Sequence, residues 1–234
     1  MVKARLFRTD IRSFTVPNFQ KYERDVVGHR IYHDLFRLLF SPSDALSNRI
    51  QSTMQSLNLI PNQYSSVHLR MKYPVKGIKG GGDSFLKHKL NITKWATNAV
   101  NCAVELHPNA KIYVSSDSND TIGYLLEESQ FAEHYINATV RKKRPLAVEL
   151  VARDYSSENP HINFSPIREV DGFMSTFEDL FIMGLGKCVA HGVGGYGRLA
   201  AALSGGECGK QHRLGVIHGE AVMQVCPKAL KDID

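Results

Sequence analysis

From residue 64 onward, short β-branched runs alternate with amphipathic helical segments, and this alternation narrows the possible folds more than any other feature of the chain. Ser66-Val67-His68-Leu69-Arg70 reads as a strand. Ser84 to Leu106 reads as a helix with Leu86, Leu90, Ala96, Val100 and Val104 inward and Pro108 as its stop. Lys111 to Ser116 is a second β-branched strand, followed by a capped helix from Asn119 to Ser129. Ser175-Thr176-Phe177-Glu178 reads as a capping box opening a helix through Leu185, and Lys187-Cys188-Val189-Ala190 as a buried strand. Gly192 to Gly195 then turn into a small-residue helix, Tyr196 to Leu203, and Leu214 to Ile217 form a last strand. Strands spaced by helical crossovers predict an α/β fold, a parallel sheet with helices on its faces.

The first sixty residues read differently. A helix from Ile31 places Leu35, Leu38 and Leu39 on one face. Ser41-Pro42-Ser43-Asp44 restarts the chain, with Ser41 as cap, Pro42 at the first helical position and Asp44 completing a capping box. Leu46, Ile50, Met54 and Leu57 follow as one apolar stripe. The expected organisation is a helical lead-in over 1–60 and a sheet-bearing domain over 61–234.

With 234 residues, 43% hydrophobic and 22% charged, the chain can bury a core without relying on disulfides or metal, which excludes wholesale disorder and fibrous repeats. No apolar run approaches the roughly 20 residues of a membrane span, and the opening MVKARLFRTD lacks the apolar core of a secretory signal. The net charge of +6 favours an anionic partner. The basic residues are scattered apart from Arg141-Lys142-Lys143-Arg144, which reads as a solvated turn. No nucleic-acid-binding motif accompanies the charge, so nucleic acid is not the expected partner. Cys102 and Cys188 read as buried thiols, while Cys208 and Cys226 are placed to pair if the compartment oxidises. Sequons at Asn91, Asn119, Asn137 and Asn163 hint at a secretory lumen.

Ligands of such sheets bind at the carboxyl ends of strands. Three ends carry suggestive residues: His68-Leu69-Arg70, Ser115-Ser116-Asp117-Ser118, and His191 through Arg198 with its glycine turn. Together they supply cations, a carboxylate and a helix N-terminus, the parts needed to hold a nucleotide diphosphate. Structural roles compete with this reading. His68 could be a hydrogen-bonded core residue, Arg70 half of an ion pair, Asp117 a helix cap, and the glycines a tight strand-to-helix contact. The loop Lys72 to Asp83, with Lys76, Lys79 and Gly80 to Gly82, lacks the Gly-Lys-Ser/Thr ending of a P-loop and reads as a surface loop.

In order and spacing, the three motifs resemble the donor-binding half of GDP-fucose-dependent fucosyltransferases, the α-1,6- and protein O-fucosyltransferase group with a GT-B fold. Val67-His68-Leu69-Arg70 is similar to that group's first motif and Ile112 to Ser118 to its second. Asp179 to Met183 through Arg198-Leu199-Ala200-Ala201 is similar to its third. The lead-in Tyr32 to Arg37 with Leu39 to Ser43 adds to the likeness, which covers roughly residues 31 to 205. Two departures stand out: Met71 replaces the second Arg common in the family, and Gly194-Gly195 replaces its serine pair.

The resemblance implies a Rossmann-like domain, one half of a GT-B fold, with the acceptor half reduced or carried by a longer parent. It implies transfer of fucose from GDP-fucose to a glycan or protein hydroxyl with inversion. Arg70 would be the catalytic residue, neutralising the leaving β-phosphate. His68, Ser116, Asp117, Gly194, Gly195, Tyr196 and Arg198 would hold the donor. No cofactor is implied; Asp117 and Asp120 do not form the Asp-x-Asp of metal-dependent transferases, so metal-independent chemistry is expected. The implied location is the lumen of the secretory pathway. The alternative is a non-catalytic nucleotide- or glycan-binding module of the same ancestry.

Overall fold

The computed structural model describes residues 26–71, 89–127, 148–154, 170–192, 195–205, 208–211, 214–217 and 220–223. The surface loop at 72–83, the basic run at 141–144, Gly194, Cys226 and the sequons at Asn137 and Asn163 lie outside these residues.

The expected α/β architecture forms. Five strands, β1 (Ser65–Leu69), β2 (Ile112–Ser116), β3 (Leu150–Val151), β4 (Cys188–His191) and β5 (Gly209–Gln211), make one parallel sheet in the order β3-β2-β1-β4-β5. The chain begins at the centre, winds outward through β2 and β3, and then crosses back to lay β4 against the other side of β1. Every residue of β1, β2 and β4 is buried, as parallel strands covered on both faces must be. The described helices are α1 (Val26–Leu39), α2 (Asp44–Ser56), α3 (Lys89–Leu106), α4 (Asn119–Leu126), α5 (Val170–Leu185) and α6 (Gly195–Leu203).

The period-2 alternation of the strands splits the core in two. Val67, Leu69, Ile112, Val114 and Ala190 face Ala96, Ala99, Val100 and Ala103 of α3. Tyr113 and Val189 face the other way, joining Tyr64, Leu180, Ile182 and Met183 of α5, Ala200 and Leu203 of α6, and the α2 stripe Leu46, Ile50 and Met54.

Several local expectations are corrected. The cap of α2 is Ser43, whose Oγ accepts from Leu46 N at 3.4 Å, so Pro42 precedes the helix and Ser41 does not cap it. Ser175 to Glu178 open no helix, because α5 already begins at Val170; Ser175 and Glu178 are buried and bind α2 instead. Arg49 Nε donates to Glu178 Oε2 at 3.1 Å and Arg49 Nη2 to Ser175 Oγ at 3.1 Å, while Thr53 Oγ1 donates to Glu178 Oε1 at 2.5 Å. The stripe Leu35, Leu38, Leu39 is exposed; α1 is held instead by Phe36 against Phe181, ring centroids 5.9 Å apart, and by His33 Nδ1 donating to the Leu203 carbonyl. Leu214 to Ile217 (β6) does not join the parallel sheet but pairs antiparallel with β7, Glu220–Met223. Two residues separate β5 from β6, too few for the crossover a parallel neighbour needs.

The cysteine pairing is also corrected. Cys188 bonds Cys208, with Cα atoms 4.9 Å apart, and Cys102 is disulfide-bonded as well. The register of β4 with β5 explains the first bridge: Val189 lies opposite Gly209, which sets the preceding residues, both cysteines, side by side.

Candidate functional site at the carboxyl edge of the sheet

In an open α/β sheet the binding crevice lies outside the strand ends at the point where strand order reverses. Here the reversal falls between β1 and β4. Register aligns their ends with that of β2: His68 lies opposite Ser115 on one side and His191 on the other. The three motifs therefore meet at one edge, with the β1 motif in the middle.

His68 is buried, its ring tilted against that of Tyr196 with centroids 5.1 Å apart. Gly192 N donates to the His68 carbonyl at 3.0 Å, extending the β1–β4 pairing past the strand end. The start of α6 then runs directly over both histidines. A Cβ on Gly197 would lie 2.7 Å from His68 Nδ1 and 2.7 Å from His191 Cβ, so only glycine permits this approach. Gly195 differs: a Cβ there would meet no described atom within 4 Å, which leaves space in front of the helix start. A helix start carries backbone N–H groups without intrahelical partners and the positive end of the helix dipole.

Asp117 follows β2, and its Oδ1 accepts from Met71 N at 2.6 Å. This charge-assisted bond ties the chain leaving β1 to the end of β2. The helix cap is Ser118, whose Oγ accepts from Thr121 N at 3.3 Å; Ser116 is buried and its Oγ accepts from Ser118 N at 3.1 Å. The competing reading of Asp117 as the cap of α4 is thereby replaced. Arg70 is half-buried just beyond β1, and Arg198 is exposed on the first turn of α6. Tyr196 faces inward, its hydroxyl donating to the Thr176 carbonyl at 2.5 Å.

A buried polar seam adjoins these residues. Asp179 of α5 accepts from Tyr113 Oη at 2.6 Å, from Ser115 Oγ at 3.1 Å and from Arg153 Nε at 3.0 Å. The Arg153 and Asp179 side chains are 6% and 3% exposed, so neither charge has water to fall back on. Burial, then the Asp179 charge, raises the Tyr113 phenol well above its ordinary value, and the same two causes raise Tyr196. Both tyrosines stay neutral donors at physiological pH. Arg153 escaped the sequence reading because the strand before it has only two residues and no motif surrounds it. Extending the β2–β3 register by two residues places it level with Ser115, a signal that exists only once the strand pairing is known.

The edge thus combines Arg70 and Arg198, the N–H groups at the start of α6, a packed imidazole and a carboxylate. Such a set suits a ligand with a dianionic centre and polar ends. Among the described residues, no group of three or more His, Cys, Asp or Glu side chains is placed to hold a metal, and no helix is long and apolar enough to cross a membrane. No protein-family model, curated protein or solved structure matches the chain.

Proposed function

We propose that the chain is a glycosyltransferase-like donor domain that binds GDP-fucose at this edge and passes the sugar to a glycan or glycoprotein hydroxyl with inversion. The observation that carries the reading is the meeting of the His68-Arg70 strand end with the start of α6 at the reversal of strand order. As the bond from sugar to GDP breaks, charge grows on the β-phosphate. Arg70 neutralises it through its planar fork, and the Gly195 and Tyr196 N–H groups with Arg198 share the load. His68 positions phosphate or ribose, and Asp117 is assigned to the guanine N–H groups. Gly194, next to Gly195 in the sequence, is assigned to the donor phosphates with it. The reaction needs no metal, because arginine and backbone amides supply the positive charge. The Cys188–Cys208 bridge supports an oxidising compartment, in keeping with the secretory lumen.

A non-catalytic binding module is favoured by one observation. Met71, standing where the family has its second Arg, is 1% exposed and has its N–H held by Asp117, so that position presents no cation. The test is thermal denaturation with GDP, UDP and ADP in EDTA, followed by transfer of labelled fucose to a glycoprotein mixture. The enzyme reading expects GDP to raise the melting temperature most, with label transferred. GDP binding without transfer supports the module, and a flat response to all three nucleotides at millimolar concentration removes both.

A further inference from the structure

The Cys188–Cys208 bridge closes one segment of chain, and that segment carries the α6 side of the site: β4 with His191, and all of α6. The bridge lies at the opposite end of β4 from His191, so it is reached from the amino edge of the sheet without crossing the ligand crevice. Its two cysteines differ in exposure. Cys188 is 1% exposed, whereas Cys208 is half-buried in the turn before β5. Cys102, the other described disulfide cysteine, is fully buried on α3.

The packing of α6 leaves no slack between the bridge and the site. Added Cβ atoms would come within 2.8 Å of Ala201 Cβ at Gly209 of β5, and within 2.8 Å of Leu203 Cβ at Gly184 of α5. At the other end of α6, Gly197 rests on His68 and His191. Strand β5 is three residues long at the sheet edge, held by its pairing with β4 and by the bridge. Opening the bridge leaves β5 held by its three-residue pairing with β4, and Gly209 of β5 is the residue on which Ala201 of α6 rests.

We propose that Cys188–Cys208 is a thiol-controlled clamp on the α6 end of the site, opened by a protein or small-molecule dithiol. A dithiol thiolate attacks the accessible Cys208 Sγ, the Sγ–Sγ bond breaks, and Cys188 leaves as a thiolate that takes a proton. The second thiol of the reductant resolves the mixed disulfide and releases Cys208. Two electrons and two protons pass to the protein, and the dithiol becomes a disulfide. Reduced, the segment loses the constraint that fixes the amides at the start of α6, and anion affinity falls.

For its ligand the proposal rests on the donor-site reading; for its mechanics it does not, and the experiment separates the two. Amide hydrogen exchange and GDP binding are measured on the full chain, as oxidised wild type, as wild type reduced with dithiothreitol, and as Cys188→Ala/Cys208→Ala. Mass analysis checks that Cys102 stays bonded during reduction. The clamp expects α6 amides to exchange about tenfold faster or more in both opened forms, with β1 and β2 unchanged, and GDP affinity to fall. Should the double variant fail to fold, the reduced wild type gives the same reading. Unchanged α6 protection overturns the clamp whatever GDP does, and so does loss of protection across the whole sheet. Faster α6 exchange in a protein whose oxidised form never binds GDP upholds the clamp and overturns the donor site.

Discussion

Under α3 the sheet presents Val67, Leu69, Ile112, Val114 and Ala190, none more than 1% exposed; under α5 and α6 the same strands present Ser66, His68, Tyr113, Ser115 and His191. Both faces are dry, and the second carries most of the groups that hydrogen-bond or titrate, Ser65 and Ser116 being the polar residues of the first. A buried polar group costs stability unless it is partnered, so a sheet needing only to fold would have two faces like the first. On the second face the polar groups gather toward the carboxyl edge, and a charged pair, Arg153 and Asp179, is buried beside them. The difference sets an almost wholly apolar face against one on which an apolar core and a hydrogen-bonded polar seam share the strands.

The comparison breaks most sharply at Asp179. Asp179→Ala leaves the Arg153 charge buried without its carboxylate and strips the partner from Tyr113 and Ser115; we expect a loss of about 3–5 kcal/mol in urea unfolding. Leu69→Ala on the apolar face should cost about 2–5 kcal/mol through the cavity it leaves, with GDP affinity intact in whatever remains folded. Gly197→Ala should cost less, about 1–3 kcal/mol of overpacking, but it pushes α6 off His68 and His191, so GDP affinity should fall as well. If Leu69→Ala weakens GDP binding as much as Gly197→Ala does, the two faces are not functionally distinct.

A pH series sharpens the contrast further. Burial raises Tyr64, Tyr113 and Tyr196 above the ordinary value near 10, and each of them hydrogen-bonds on the polar face. Above pH 10 the unfolded chain gives up these protons while the folded chain keeps them, so stability falls as pH rises. The loss should be about 1.4 kcal/mol per pH unit for each such tyrosine, starting near pH 10. Tyrosine absorbance and far-UV circular dichroism followed together should show part of the signal of the nine tyrosines appearing only as the protein unfolds; ionisation of all nine in a still-folded protein would contradict it.

The long elements were legible because period and length agree: the stripe Leu46, Ile50, Met54 and the runs around Val67 and Val114 read the same in sequence and in structure. What escaped had too little chain to carry a pattern. Strands β3 and β5 have two and three residues and exist through pairing with their neighbours. The capping box at Ser175 misled because Ser and Glu at that spacing serve equally well on the side of a helix, where Arg49 claims them. The disulfide was misread because Cys188 sits in an apolar run that looks like core, and its partner is chosen by strand register rather than by distance along the chain. At the carboxyl edge, the motifs named His68, Arg70 and the start of α6, but not the seam beside them, which needed Arg153 and Asp179 brought together from different elements.

The proposed role of Arg70 on a diphosphate is tested most directly by Arg70→Lys. Lysine keeps the charge and loses the planar fork. The melting temperature of the apo protein and its GDP affinity by calorimetry are to be measured on the same variant. A ligand role predicts an apo protein that melts like wild type and binds GDP more weakly by about 1–3 kcal/mol. A destabilised protein with unchanged GDP affinity would make Arg70 half of a structural ion pair and contradict the account.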